Sequence, residues 1–159
     1  MKGTRVGFGF DAHRFGGRGP IVVCGVNIDY PIGVLATSDG DVASHAICDA
    51  ILGAAALGDI GMHFPSDDPR WQNARSLDLV AECVQMVRVA GFELSHVDVT
   101  VVAQNVRIDG HRVAMRAELA TALDLPATSV SVKATTTDGL GWIGSDEGMA
   151  AHAVVTVYR

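Results

Sequence analysis

Residues 38–61, SDGDVASHAICDAILGAAALGDIG, predict the long helix on which the fold depends. Apolar side chains recur at helical spacing between about Asp41 and Leu57, and the glycines of the following GDIG segment end the pattern. The side chains on this apolar face are Val42, Ala46, Ile47, Ala50, Ile51 and Ala54. Because half of these residues are alanines, the helix can pack closely against a neighbouring element.

The segments on either side of this helix alternate between strand and helix patterns. Residues 5–10 (RVGFGF) and 21–26 (IVVCGV) are predicted to be paired strands joined by the glycine-rich turn FGGRGP. Ser76 is a plausible N-cap for a second helix, which Gly91 closes. The remaining predicted elements are a strand at 97–103, a helix at 112–123 and strands at 130–135 and 151–158. This order predicts one α/β (α+β) domain over residues 1–159, with a mixed β-sheet and helices packed on one face.

The composition excludes several classes of protein. A chain of 159 residues that is 48% hydrophobic and 19% charged is an ordinary globular domain. Its net charge of -6 and the lack of a basic run argue against binding of nucleic acid. No stretch approaches the ~18 apolar residues of a membrane span, and no signal peptide is expected. Three widely spaced cysteines without a CxxC motif favour a reducing, cytoplasmic location.

The segment GFDAH places two metal-binding side chains at the end of the first predicted strand. Asp11 and His13 are two residues apart, so both leave the same face of the strand. His45 on the central helix is the candidate for a third ligand, and two imidazoles with one carboxylate leave a tetrahedral zinc ion one open position. The alternative is that His45 is an ordinary surface or core residue. Asp49, one turn later, either orients His45 or is a solvated helix charge.

Two further polar segments are candidates for ligand binding. GDIGMHFPSDDP gathers Asp59, Asp67 and Asp68 with glycines, which suits a cation or hydroxyl site but also an ordinary surface turn. ATTTDGLG ends a strand in three threonines followed by Asp138, a pattern that can donate to phosphate oxygens and hold a divalent cation. Threonine is also simply a common strand residue. Trp142, just beyond, is either the wall of a binding site or a core residue.

Taken together, GFDAH, SDGDVASHAICDAILGAAALGDIG, FPSDDP and ATTTDGLG resemble, in order and spacing, the 2-C-methyl-D-erythritol 2,4-cyclodiphosphate synthase family. The resemblance covers essentially the whole chain. It implies a homotrimer with active sites between subunits, and a metal-dependent phosphorus–oxygen lyase. The implied reaction converts 4-diphosphocytidyl-2-C-methyl-D-erythritol 2-phosphate to the 2,4-cyclodiphosphate with release of CMP, within the non-mevalonate isoprenoid pathway.

The resemblance also implies roles for individual residues. Asp11, His13 and His45 would hold one zinc ion per subunit, and Asp138 would hold a magnesium or manganese ion that bridges the diphosphate. Thr136 would steady the reacting phosphates, and Thr37 occupies a catalytic position. The implied substrate-binding residues are Asp11, Ala12, His13, Thr37, Ser38, Asp59, Ile60, Gly61, Phe64, Pro65, Ser66, Asp67, Asp68, Ala103, Gln104, Asn105, Val106, Arg107, Ile108, Asp109, Thr135, Thr136, Thr137, Asp138 and Trp142. The segment 103–109 and the three threonines would hold the cytidine end.

Several positions depart from the family pattern. Thr37 stands where the family usually has a phosphate-binding histidine, and His63 is a hypothetical substitute. The substrate-loop segment that is usually FPDTD reads FPSDD at residues 64–68. Val106-Arg107 stands in place of the usual Pro-Lys pair, and Asp138 in place of the usual glutamate. GSDEG replaces GRGEG, so Ser145 takes the place of an arginine that lines an axial cavity for isoprenoid diphosphates in some members. We therefore expect weak or absent binding of such ligands on the trimer axis.

These departures keep two other functions open. One is a non-catalytic trimeric module that retains the zinc scaffold and binds a nucleotide or a pathway partner. The other is a zinc hydrolase that acts on a different phosphate ester, because the open metal position could hold water.

Overall fold

Helix α1 (Val42–Ala55) lies on a mixed β-sheet in the computed structural model of the protein, which describes residues 3–159. Within these residues the strands are β1 (Thr4–Arg18), β2 (Ile21–Val23), β3 (Val26–Ile28), β4 (Ile32–Val34), β5 (Glu93–Val102), β6 (Val130–Thr135) and β7 (Gly148–Tyr158). The other helices are α2 (Ile60–His63), α3 (Ser76–Val89), α4 (Arg112–Leu123) and α5 (Gly141–Gly144).

The main sheet has five strands in the order β4-β1-β7-β5-β6, and β2 and β3 form a separate hairpin. Neighbouring strands of the main sheet are antiparallel except β5 and β6, which are parallel. The three long helices pack on one face, with α1 over β1 and β7, α3 beside α1, and α4 beside α3 over β6. The predicted single domain, with a mixed sheet and helices on one face, is therefore confirmed.

Strand β1 explains why α1 lies so close to the sheet. Gly7 and Gly9 face the helix, and a Cβ atom on either would lie 1.9 Å from a backbone oxygen of α1, that of Ala50 or Ala46 respectively. Two residues along a strand advance about 6.7 Å and four residues of a helix about 6 Å. Alternate residues of β1 therefore stay opposite successive turns of α1. Asp11, two residues after Gly9, therefore meets the next turn of α1, where His45 lies.

The opposite face of the sheet is largely uncovered in the described chain. Its exposed apolar side chains include Val6, Phe8 and Phe10 of β1, and Val154 and Tyr158 of β7. Phe8 is 62% exposed, although most phenylalanines are buried. A contiguous apolar surface of this kind is typical of a protein–protein interface.

The predicted pairing of the first two strands is wrong. The glycine-rich segment does not turn back but continues β1 as far as Arg18, and β2 pairs with β3. The main partner of β1 is β7, from Thr4 opposite Tyr158 to Arg14 opposite Gly148. This long ladder between distant segments satisfies many more backbone groups than the expected local hairpin, so tertiary pairing prevails over the local turn signal.

Other element boundaries mostly agree with the sequence prediction. The helix at 112–123 and the strand at 130–135 match α4 and β6, whereas the short β3 and β4 were not predicted. Ser76 is not an N-cap, because Arg75 holds that position and Ser76 is the first residue of α3. The three cysteines are buried and free of disulfides. Among residues 3–159, no helix has the length and apolar character needed to cross a membrane.

Candidate active site

Asp11, His13 and His45 converge in the structure as the sequence predicted. The Oδ2 atom of Asp11 lies 3.0 Å from Nε2 of His13 and 3.1 Å from Nδ1 of His45. Potential ligand atoms of all three side chains lie within 4.8 Å of one another, and within residues 3–159 this is the one such group of three. The three side chains are half-buried, so a bound ion would be partly shielded from water yet reachable by a ligand.

The geometry of this triad fits a divalent metal ion. In a tetrahedral zinc site with metal–ligand bonds of about 2.0–2.1 Å, neighbouring ligand atoms are about 3.3 Å apart. The observed separations of 3.0 and 3.1 Å need only a small expansion to admit the ion. Two imidazoles and one carboxylate are borderline and hard ligands, and three protein ligands leave a position open for substrate.

The electrostatics of the triad favour a charged carboxylate. Burial by itself raises the pKa of Asp11, but hydrogen bonds and charge from His13 and His45 outweigh it and hold the pKa well below its usual value. Burial likewise lowers the pKa of His13, and the hydrogen bond to Asp11 outweighs it, so that this pKa is raised. Because protons compete with a metal ion for His13, metal binding should weaken as the pH falls.

The SDGD segment before α1 orients both imidazoles. The Gly40 carbonyl accepts from Nδ1 of His13 at 2.9 Å, which leaves Nε2 facing Asp11. Nε2 of His45 lies 2.9 Å from the Ser76 hydroxyl and 3.1 Å from that of Ser38, which leaves Nδ1 facing Asp11. These contacts fix which nitrogen of each ring can bind a metal.

The two aspartates that flank His45 in the helix serve the scaffold. Asp41 is the N-cap of α1 and is fully buried, where it accepts from the backbone N–H groups of Cys24, Gly25 and Ser44 and from the Ser44 hydroxyl. Asp49 accepts from the Ile60 N–H at 2.8 Å, and so ties the start of α2 to α1. Asp49 is thus placed to position the loop after α1, whereas Ser76 and Ser38 contact His45.

A cavity of about 640 Å³ opens at the triad. Its walls combine apolar side chains with hydroxyls and one further carboxylate. The lining residues are Asp11, His13, Ala36, Thr37, Ser38, His45, Ile60, Gly61, Phe64, Pro65, Ser66, Asp67, Trp71 and Leu79. Ten of them are predicted site residues in addition to His45, and Ala36, Trp71 and Leu79 are additional. Trp71 packs edge-on against Phe64, with ring centroids 4.9 Å apart, so the two rings form the apolar wall.

A second, smaller cavity lies at the same end of the sheet, beside β5 and β6. It is lined by Val101, Ala103, Val106, Arg107, Ile108, Asp109, Arg112, Ala134, Thr135 and Thr136. It shares no lining residue with the first cavity. Since β7 and β5 stand between β1 and β6, and strands are about 4.8 Å apart, the two sites are roughly 14 Å apart within one chain.

Comparisons with known proteins show the family of this chain. The YgbB family model matches residues 4–158. A 2-C-methyl-D-erythritol 2,4-cyclodiphosphate synthase of Methylococcus capsulatus is 52% identical over 155 residues, which cover 98% of each chain. The chain belongs to the 2-C-methyl-D-erythritol 2,4-cyclodiphosphate synthase family.

Solved structures of this synthase family have the same fold. The bifunctional IspDF protein of Campylobacter jejuni superposes with a TM-score of 0.96 at 43% identity; the match covers all of this chain and 43% of that longer one. A 2C-methyl-D-erythritol-2,4-cyclodiphosphate synthase in its CDP-bound form has a TM-score of 0.87 at 36% identity, over 95% of this chain and 98% of its own.

Thr37, where the synthase family usually has histidine, lines the first cavity beside the triad. Its backbone carbonyl accepts from the Asn73 N–H at 2.9 Å, so the segment before α1 is tied to the loop before α3. The hypothetical substitute, His63, does not line this cavity, and its Nε2 donates to the Leu57 carbonyl at 2.8 Å. The structure therefore gives His63 a role in closing the turn after α1.

The threonine segment lies in the second cavity and beyond it. Thr137 donates its hydroxyl to the Leu140 carbonyl, whereas the Thr136 hydroxyl accepts from the Asp138 N–H at 3.1 Å and keeps its own proton available. Asp138 is exposed and stands apart from the metal triad of the same chain. Gln104 accepts from the Gly139 N–H, which joins this segment to the loop after β5.

Eight predicted substrate-binding residues line neither of these cavities: Ala12, Asp59, Asp68, Gln104, Asn105, Thr137, Asp138 and Trp142. Asp59 caps α2 by accepting from the Met62 N–H, and Asp68 forms an ion pair with Arg70. Ala12 and Trp142 line another cavity together with His13, Arg14 and Glu147. Trp142 is 43% exposed and is thus a wall residue rather than part of the core.

Sequence reasoning missed the contacts that α3 and the loop before it make with the site. Leu79 and Trp71 line the cavity, and Ser76 contacts His45, although they follow His45 by 26 to 34 positions. The only sequence signal was the serine at the start of a helix, a position that usually indicates capping.

Proposed function

We propose that this protein converts 4-diphosphocytidyl-2-C-methyl-D-erythritol 2-phosphate to 2-C-methyl-D-erythritol 2,4-cyclodiphosphate and CMP, as a metal-dependent phosphorus–oxygen lyase. The observation that most directly supports this proposal is the Asp11–His13–His45 triad at the mouth of a partly apolar cavity, in a chain of the synthase family. In the reaction, a 2-phosphate oxygen forms a bond to the β-phosphorus, and the bond from that phosphorus to the oxygen of CMP breaks. Both partners belong to one substrate, so the protein has only to position them.

The triad would hold one zinc ion, which when bound supplies a Lewis acid that draws charge from the β-phosphate oxygens. The residues themselves fix the position of that phosphate. The Gly40 carbonyl and the Ser76 hydroxyl hold the two imidazoles, and the low pKa of Asp11 keeps its carboxylate charged. Ser38 and Thr37 place hydroxyl groups in the same cavity, where they can donate to phosphate oxygens.

The apolar part of the cavity suits the methylerythritol carbon chain. Ile60, Phe64, Trp71 and Leu79 present apolar surface, and Phe64 is only 7% exposed. Such a wall excludes water from one side of the diphosphate, which strengthens electrostatic interactions there. Asp67 lies in the same cavity and is the candidate partner for the hydroxyl groups of the substrate.

The separation of the two cavities supports a homotrimer with active sites between subunits. The predicted cytidine site lies roughly 14 Å from the metal triad of its own chain. The uncovered sheet face, with exposed Val6, Phe8 and Phe10, provides an apolar surface on which copies of the chain can meet. In such an assembly the Thr136 hydroxyl and the Asp138 carboxylate, with a magnesium or manganese ion, would reach the phosphates held at the triad of a neighbour.

Incubation with the diphosphocytidyl substrate tests the proposal. We expect phosphorus NMR to show the cyclic diphosphate and chromatography to show an equal amount of CMP, in the presence of zinc and magnesium. A catalytically inert protein under these conditions would contradict the proposal. CMP without the cyclic product would instead indicate hydrolysis by a metal-bound water.

Thr37→His should raise turnover by about tenfold, because an imidazolium adds charge stabilisation near the reacting phosphates that a hydroxyl does not provide. Thr37 lines the cavity, so the larger side chain has room. Steady-state rates of both proteins with the same substrate give the comparison.

Thr37→Val is the matched control, because it keeps the shape of threonine and removes the hydroxyl. If Thr37→His leaves turnover unchanged while Thr37→Val lowers it, the hydroxyl already fills the role of the histidine, and our interpretation of this position is wrong.

A further inference from the structure

A continuous hydrogen-bonded chain leads from His45 of the metal triad through Ser76 to Asp39. Nε2 of His45 lies 2.9 Å from the Ser76 hydroxyl, which in turn donates to Oδ1 of Asp39. The Ser76 backbone N–H donates to Oδ2 of the same carboxylate at 3.0 Å. Ser76 is fully buried, so the two contacts it makes with Asp39 are shielded from competing water.

The direction of each hydrogen bond follows from the chemistry of Asp39. A carboxylate can only accept hydrogen bonds, so the Ser76 hydroxyl must donate its single proton to Asp39. The Ser76 oxygen is then left as an acceptor towards His45, and Nε2 of His45 must be the donor. A neutral imidazole carries one proton, so the lone pair of His45 lies on Nδ1, the atom that faces Asp11 at 3.1 Å.

We infer that Asp39 and Ser76 act as positioning residues that hold His45 as the Nε2–H tautomer, with Nδ1 aimed at the metal, and so set the metal affinity of the site. This inference rests on the proposed metal-binding role of the triad. It goes beyond the ligands themselves, because neither Asp39 nor Ser76 belongs to the triad. Partners of this kind typically change metal affinity by about ten- to a hundredfold.

Ser38 is the competing partner of His45, and the geometry ranks it second. Its hydroxyl lies 3.1 Å from Nε2, against 2.9 Å for Ser76, and it also accepts from the Gly40 N–H at 3.2 Å. Ser38 has no carboxylate that fixes the direction of its proton, so it can either donate or accept. Of these two serines, only Ser76 is fixed as a hydrogen-bond acceptor towards His45.

The test compares three variants with the wild-type protein. Ser76→Ala removes the acceptor, Ser76→Thr keeps it, and Ser44→Ala removes an equally buried hydroxyl that donates to Asp41 at 2.7 Å and does not contact His45. Zinc affinity is measured by competition with a chelator. In the zinc-loaded proteins, NMR follows the exchange of the His45 Nε2–H proton with water.

We expect Ser76→Ala to weaken zinc binding by about ten- to a hundredfold and to speed exchange of the Nε2–H proton. Ser76→Thr and Ser44→Ala should stay within about threefold of the wild-type affinity, since both keep the hydroxyl beside His45. An affinity of Ser76→Ala equal to wild type, or a loss that Ser76→Thr does not restore, overturns the inference. Failure of the wild-type protein to bind zinc at all would instead overturn the proposed metal site.

Discussion

His45→Ala should abolish stoichiometric zinc binding and lower turnover by at least about a thousandfold. The remaining pair, Asp11 and His13, offers two ligands where a catalytic zinc site has three. A Lewis-acid metal contributes several kcal/mol to the stability of a phosphoryl-transfer transition state, and about 1.4 kcal/mol corresponds to a factor of ten. Metal analysis of the dialysed protein and steady-state rates provide the two measurements.

His96→Ala is the matched control for this substitution. His96 is exposed near the start of β5, whereas the triad lies at the end of the sheet where β5 finishes. We expect this variant to keep both zinc and activity. Full zinc content in His45→Ala would show that another side chain supplies the third ligand. Loss of zinc with activity retained would show that the metal is structural.

Gly9→Ala should destabilise the protein by about 3 kcal/mol, because a Cβ atom at this position would overlap the helix backbone. That atom would lie 1.9 Å from the Ala46 carbonyl oxygen and 2.8 Å from the Ala50 nitrogen. Backbone atoms of α1 cannot move aside as a flexible side chain can, so the whole helix must shift. Since His45 precedes Ala46, the shift should also weaken zinc binding.

Gly53→Ala provides the control within the same helix. Gly53 is exposed, and a Cβ atom there would meet no atom within 4 Å. Because alanine favours a helix over glycine, we expect a gain of about 0.5–1 kcal/mol. Urea unfolding of the three proteins, at matched concentrations, measures both effects. Equal stability of Gly9→Ala and wild type would mean that α1 does not lie against β1 as described.

Local patterns in the sequence were sufficient for elements whose signals come from neighbouring residues. The helix at 112–123 and the strand at 130–135 were predicted to the residue, since periodicity alone defines them. The pairing of β1 was not, because its partner β7 lies more than 130 positions away and leaves no local mark. The glycine-rich turn after β1 was a local signal that the long β1–β7 ladder overrode.

The sequence by itself determined the chemistry of the candidate site. Period-two geometry placed Asp11 and His13 on one face of a strand, and helical spacing placed His45 on a predicted helix. Only the tertiary structure decided that these faces meet, because the contact depends on Gly7 and Gly9 admitting the backbone of α1. It also decided the role of Ser76, whose hydroxyl turns to Asp39 and His45 instead of capping its own helix. A side chain with several possible partners takes the one that packing brings within reach, and packing is a property of the whole fold.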